Sequence, residues 1–158
     1  MPDCPDAVFR SAVLLLLLCG IARASPLFDD DSILDLTLEG PLSATLEDRE
    51  ERQQRPFMLH VAGNTIPVKV RVRGKLRSDE CRFPPLRLNF SSEQPSDTVF
   101  SGENKLKLVT HCKKSSDYEK NVIEEYAAYR IMNVLSDVSL RARLLRIRYL
   151  DTDRPESD

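Results

Sequence analysis

Leu144-Leu145-Arg146-Ile147-Arg148-Tyr149-Leu150 alternates between apolar and basic residues as a half-buried strand does, and it comes almost last in the chain. Asp151-Thr152-Asp153 reads as the turn after it, and Arg154-Pro155-Glu156-Ser157-Asp158 is a polar tail containing no second strand. A final strand without a hairpin partner presents a row of unpaired backbone groups that has to be covered. The pattern predicts the front part of a larger fold, or a module completed by a partner at this open edge. Everything upstream must supply a sheet to which the strand can belong.

The first 24 residues are expected to lie outside that fold. Arg10 precedes an apolar stretch from Ser11 to Gly20 that contains five consecutive leucines, and Ala22-Arg23-Ala24 is an A-x-A cleavage pattern. The stretch is shorter than the about 20 residues a membrane anchor needs. It predicts a signal peptide (1–24) cleaved after Ala24, hence an exported protein, periplasmic or secreted. Removing it takes away Arg10 and Arg23 with Asp3 and Asp6, so the net charge stays at −2. A near-neutral chain has no overall attraction to nucleic acid or to an anionic membrane. No other segment is apolar for long enough to span a bilayer.

Two cysteines remain beyond the leader, Cys81 and Cys112. In an oxidising compartment such a pair predicts a structural disulfide rather than a metal site, and there is no C-x-x-C for redox catalysis. The flanking strands agree. Antiparallel pairing of Leu86–Phe90 with Lys105–Val109 sets Leu86 against Leu108 and Leu88 against Leu106, which puts the apolar residues on one face. The cysteines then fall one residue out of register, a slip that the Pro84-Pro85 step can absorb.

Further strands are predicted at Leu34–Leu38, ended by Gly40-Pro41, and in a hairpin of Phe57–Val61 and Ile66–Arg73 around Gly63-Asn64-Thr65. The charged stretch from Ser43 to Arg55 reads as a solvated helix or a linker. Ser116-x-x-Glu119 is a capping-box pattern that opens a helix running to about Leu135. Its apolar residues occupy nearly all angles, so it is expected to pack on more than one side. The predicted fold is α+β: a mainly antiparallel sheet of five to six strands with one long packed helix. Its parts are an N-terminal strand and charged linker (25–56), a sheet-plus-helix module (57–153) and a polar tail (154–158).

Strand alternation sorts Lys69, Arg71 and Arg73, then Arg87, Lys105 and Lys107, then Arg146 and Arg148 onto the polar side. Two readings stay open. The face is an ordinary solvated side of an antiparallel sheet, or it binds phosphate, polyphosphate or an acidic polymer. It has no interleaved aromatic residues on which bases could stack. On the helix, Glu124 can pair with Lys120 four residues earlier. Glu125 lies on an apolar arc with no basic neighbour three or four positions away, so it needs a partner from another element, with Lys107 on the adjacent strand on offer. His60 and His111 sit on different strands with no nucleophile placed beside either, and no glycine-rich phosphate loop is present.

Val72-Arg73-Gly74-Lys75-Leu76-Arg77, Cys81 to Phe90, Lys105-Leu106-Lys107-Leu108-Val109, the helix Tyr118–Leu135 and the strand to Asp151 together resemble a family of exported bacterial proteins. That family is remotely similar to the CotH spore-coat kinases. The resemblance covers about residues 66–153 and implies the N-terminal lobe of an atypical kinase-like fold. It further implies Lys107 as a nucleotide-phosphate lysine with Glu125 as its helix partner, and Lys105 and Glu124 as substitutes. The catalytic and metal-binding acids of such a fold belong to a second lobe. The resemblance therefore implies a truncated kinase-like protein that is not catalytic alone, and ATP and magnesium only where that lobe is present. The competing expectation is a non-catalytic interaction module that takes an anionic ligand or a partner strand.

Overall fold

Alternation of apolar and polar side chains builds the sheet strand by strand. Leu36 and Leu38, Phe57, Leu59 and Val61, Ile66, Val68, Val70 and Val72, and Leu86, Leu88 and Phe90 are all buried on one side. The computed structural model describes residues 25–91 and 97–154; the leader, with Ala22 and Ala24, lies outside them. The strands are β1 (Leu34–Gly40), β2 (Arg55–Val61), β3 (Asn64–Val72), β4 (Leu86–Phe90), β5 (Lys105–Leu108) and β6 (Leu145–Asp151). They form one six-stranded sheet in the order β5-β4-β3-β2-β1-β6. Three helices accompany it, α1 (Leu42–Glu47), α2 (Leu76–Glu80) and α3 (Ser116–Leu135). The class is α+β, and the sheet is antiparallel except where β6 runs parallel to β1.

That parallel pair corrects the expectation of an unpartnered last strand. Leu145 to Asp151 pair with Leu34 to Gly40 along their whole length, a contact some 110 residues apart in the chain that no hairpin pattern can announce. Asp151-Thr152-Asp153 does make a turn, but its acids have a second task. Asp151 accepts from the Leu42 N–H (2.9 Å), the Ser43 N–H (3.2 Å) and the Ser43 hydroxyl, and Asp153 accepts from the Ala44 N–H (3.0 Å). The start of α1, preceded by Pro41 with no side-chain cap of its own, is thus capped from the far end of the chain.

The hairpin between β2 and β3 turns at Ala62-Gly63, both with positive φ (48° and 79°), the backbone of a type I′ turn. The turn is therefore one step earlier than Gly63-Asn64-Thr65, and Asn64 and Thr65 already belong to β3. Gly40 is required for a different reason: a Cβ there would lie 2.5 Å from the Phe57 ring.

Leu86 pairs with Leu108 and Leu88 with Leu106, as the alternation demands. Ahead of β4 the register slips: Phe83 bridges Cys112, and Cys81 is disulfide-bonded to Cys112. The two prolines have no N–H to offer the ladder. Instead the Thr110 hydroxyl donates to the Phe83 carbonyl (2.7 Å) and the Arg73 N–H to the Pro85 carbonyl (2.9 Å). The sheet is curled, so that the Phe83 ring comes 5.0 Å from the ring of Tyr149 on β6.

The charged stretch after α1 is neither a free helix nor a plain linker. Arg49 donates to the carbonyls of Ser78, Cys81 (2.9 Å) and Arg82 (3.3 Å), tying α1 to α2 and the disulfide. Asp48 accepts from the Arg52 and Gln53 N–H groups and pairs with Arg55 at 2.7 Å.

The long helix has the predicted length, but its cap is Ser115, whose hydroxyl accepts from the Asp117 N–H. It also packs less than expected. None of its residues is buried. Tyr118, Val122, Glu125, Tyr126, Tyr129 and Asn133 are half-buried on one side, while Ile123, Ile131, Met132, Val134 and Leu135 are exposed. The core is filled instead by the curled sheet itself together with Leu27, Leu42, Leu46 and Phe100.

Burial raises the Asp151 carboxyl, and the hydrogen bonds from Ser43, Asp153 and Leu42 outweigh it, leaving the pKa below the ordinary carboxylate value. A depressed folded pKa contributes stability that is present above the unfolded pKa and lost as pH falls through the folded one. Asp151→Ala is expected to cost about 1 kcal/mol at neutral pH in denaturant melts, the usual worth of an N-cap. The deficit should shrink as both proteins are acidified. Reducing the disulfide is expected to cost about 3–4 kcal/mol by the chain-entropy estimate for its loop, read as a lower denaturation midpoint with unchanged slope.

Candidate functional site

The residues that alternate out of the core make the other face of the sheet, and register decides which of them meet. Across β3, β4 and β5, Arg71 stands opposite Arg87, and Arg87 opposite Lys107. The next row places Lys69 opposite Asn89 and Asn89 opposite Lys105. Neighbouring strands are about 4.8 Å apart, so five cations occupy two adjacent rows. Like charges placed directly opposite each other are destabilising.

Nothing in the fold relieves them. Among the described residues, no carboxylate lies within ion-pair distance of Lys69, Arg71, Arg87, Lys105 or Lys107. Arg71 is half-buried and its Nη1 reaches only the Val72 carbonyl, at 3.5 Å. Arg87 is half-buried as well, and its Nε is shut off from solvent without a hydrogen-bond partner. Beside the second row lies an open groove of about 820 Å³, lined by Gln54, Pro56, Met58, Lys69, Asn89 and Lys105. An anion there would meet charged donors that the protein leaves without acceptors of its own.

The remaining basic residues of the predicted face are elsewhere. Arg73 follows β3, half-buried. Arg146 and Arg148 lie on β6, separated from β3 by two strands. There the face is mixed: Arg146 pairs with Asp35 on β1 at 3.1 Å. The expected single cationic face is thus divided into an unmatched half on β3–β5 and a compensated half on β1 and β6.

Lys107 and Glu125 are not joined in an ion pair. Glu125 does find its partner on another element, but the partner is Arg77 of α2, at 3.7 Å. Lys107 and Lys105 belong to the sheet rows, and Glu124 pairs with Lys120 at 4.0 Å along the helix.

Sequence reasoning missed one constellation. His60 Nε2 is 3.0 Å from Glu39 Oε2, and its Nδ1 is 3.0 Å from Thr65 Oγ1. The three residues come from β1, β2 and β3 and border an open groove that also carries Asp35, Arg146 and Arg148. The pairing of His60 with Thr65 follows from a two-residue turn at Ala62-Gly63, so the turn assignment was the signal that would have found it. The three side chains lie on a broad exposed surface, with no group beside them arranged to stabilise a developing oxyanion. They serve as a cross-strand hydrogen-bond chain.

Among the described residues no cluster of His, Cys, Asp and Glu is arranged to hold a metal ion, and no helix is long and apolar enough to cross a membrane. Compared with family models, curated proteins and solved structures, the chain matches none of them.

Both His60 ring nitrogens are engaged, whereas His111 is exposed and held only by stacking on Phe83. Diethyl pyrocarbonate is expected to modify His111 well before His60, as read by peptide mass spectrometry. Equal rates would mean that the Glu39–His60–Thr65 chain does not persist in solution.

Proposed function

We propose that this is an exported, non-catalytic binding module whose β3–β5 face takes a multivalent anion of the phosphate type. The observation that carries the reading is the Arg71–Arg87–Lys107 row with its buried, unpartnered Arg87 Nε. Buried donors without acceptors are costly. A stack of like charges adds to that cost, and a folded protein has no internal reason to maintain either. A polyanion seated across the two rows removes both penalties at once, and it is the class of ligand that arginine forks and lysine point charges bind best.

Export is supported by the leader pattern at Ser11–Ala24 and is consistent with the Cys81–Cys112 disulfide, which fits an oxidising compartment. The non-catalytic character rests on the open, shallow shape of the face and on the lack of a nucleophile or general base among its residues.

Titration with tripolyphosphate at low ionic strength tests the proposal. Binding should be saturable, weaken as salt rises, and fall by about tenfold or more in Arg87→Met, where a charge-assisted bond is lost. Arg87→Met should also leave the free protein as stable or about 1 kcal/mol more stable, since it removes a buried unsatisfied donor and a like-charge contact. Arg146→Gln, on the compensated half, should bind as the parent does. Absence of binding, or equal loss in Arg87→Met and Arg146→Gln, overturns the assignment.

A further inference from the structure

The helix α3 has two apolar faces and the chain uses one of them. Its half-buried stripe, Tyr118, Val122, Tyr126 and Tyr129, recurs every three to four residues and leans on the body of the protein. Ion pairs fix it there, Arg77 with Glu125 and the bidentate Arg130 with Asp31 at 2.6 and 2.7 Å. On the far side Ile123, Ile131, Val134 and Leu135 face outward, and Val138 and Leu140 extend the patch past the helix end. Leu135 is 73% exposed, Val134 86% and Val138 95%.

An isolated exposed aliphatic residue is ordinary, but a contiguous group of this size is not. With Met132, the seven side chains offer on the order of 800 Å² of surface, about what each partner contributes to a standard protein interface. Ala128, Ile131 and Leu135, continued by Val138, follow the three-four spacing of a helix-pairing seam.

We infer that this face pairs with the same face of a second copy of the chain, the two α3 helices crossing antiparallel. Two features favour a copy of itself. A two-fold interface needs only one self-complementary patch. The charge also changes sign along the helix. Its first half carries Asp117, Glu119, Glu124 and Glu125 against Lys120, whereas its second half and the following loop carry Arg130, Arg141 and Arg143 against Asp137. Antiparallel alignment sets the acidic half of each helix beside the basic half of the other; parallel alignment sets like beside like. The 20-residue helix is about 30 Å long, enough for such a crossing. The inference is independent of the cationic face on β3–β5.

Sedimentation equilibrium of the full chain tests it. A reversible monomer–dimer equilibrium is expected. Ile131→Glu should raise the dimer dissociation constant by about tenfold or more, as loss of a central interface contact does. Far-ultraviolet circular dichroism should stay unchanged, because the residue is exposed in the monomer. Glu119→Lys and Arg141→Glu should each weaken the dimer, and the two changes combined should restore it in part. A chain that stays monomeric at high concentration overturns the inference, as does a dimer indifferent to Ile131→Glu. Recruitment of the monomer to anionic vesicles, lost in Ile131→Glu, would overturn it too and give the face to a membrane surface.

Discussion

The arrangement depends on one long-range closure, the docking of β6 alongside β1 with the Asp151 carboxylate seated on the first turn of α1. Parallel pairing and the cap fix the same two segments in the same register, so neither can slip without breaking the other. Thr152 adds a backbone bond to the Gly40 carbonyl at 3.0 Å. With that corner pinned, α1 is held against the body, its tail brings Arg49 to the carbonyls around Cys81, and the disulfide ties the heads of β4 and β5. The curl that brings Phe83 beside Tyr149 then lets a single sheet fill most of its own core. The helix is consequently free of the task that a lone flat sheet would assign it.

The same topology explains the charge pattern of the outer face. Placing β6 next to β1 gives Arg146 an acid from a strand that otherwise has no basic neighbour. No acidic strand reaches the other end of the sheet, and β3, β4 and β5 stack their cations on one another. Charge is thus neutralised where the fold makes its closure and left unbalanced where the face is open. The unbalanced half is also where a guanidinium nitrogen is buried without an acceptor. Electrostatic cost retained at one place on an otherwise well-satisfied surface is what a ligand site requires.

A helix that shows apolar residues all round is ambiguous in a sequence, because burial on two sides and burial on one side with a second face for a partner give the same pattern. Here the ion pairs to Arg77 and Asp31 choose which face turns inward. What is left outside is an apolar seam that continues into the loop before β6.

Local pattern settled much of this protein. Period-two alternation placed the strands, and the facing leucines fixed the register of β4 against β5. The slip at Pro84-Pro85 brought Cys81 to Cys112, and the serine-led start and apolar run set the length of α3. Those features rest on side-chain periodicity and near-neighbour chemistry, which a linear chain carries in itself. Tertiary structure alone decided that β6 lies parallel to β1, that Asp151 caps α1, and that Glu125 meets Arg77. It also joined Glu39 to His60 and Thr65, and split the cationic face in two. Each of these joins segments far apart in the chain or depends on the order of strands across the sheet. Alternation tells which side of a strand a residue takes, and is silent on which strand lies next to it.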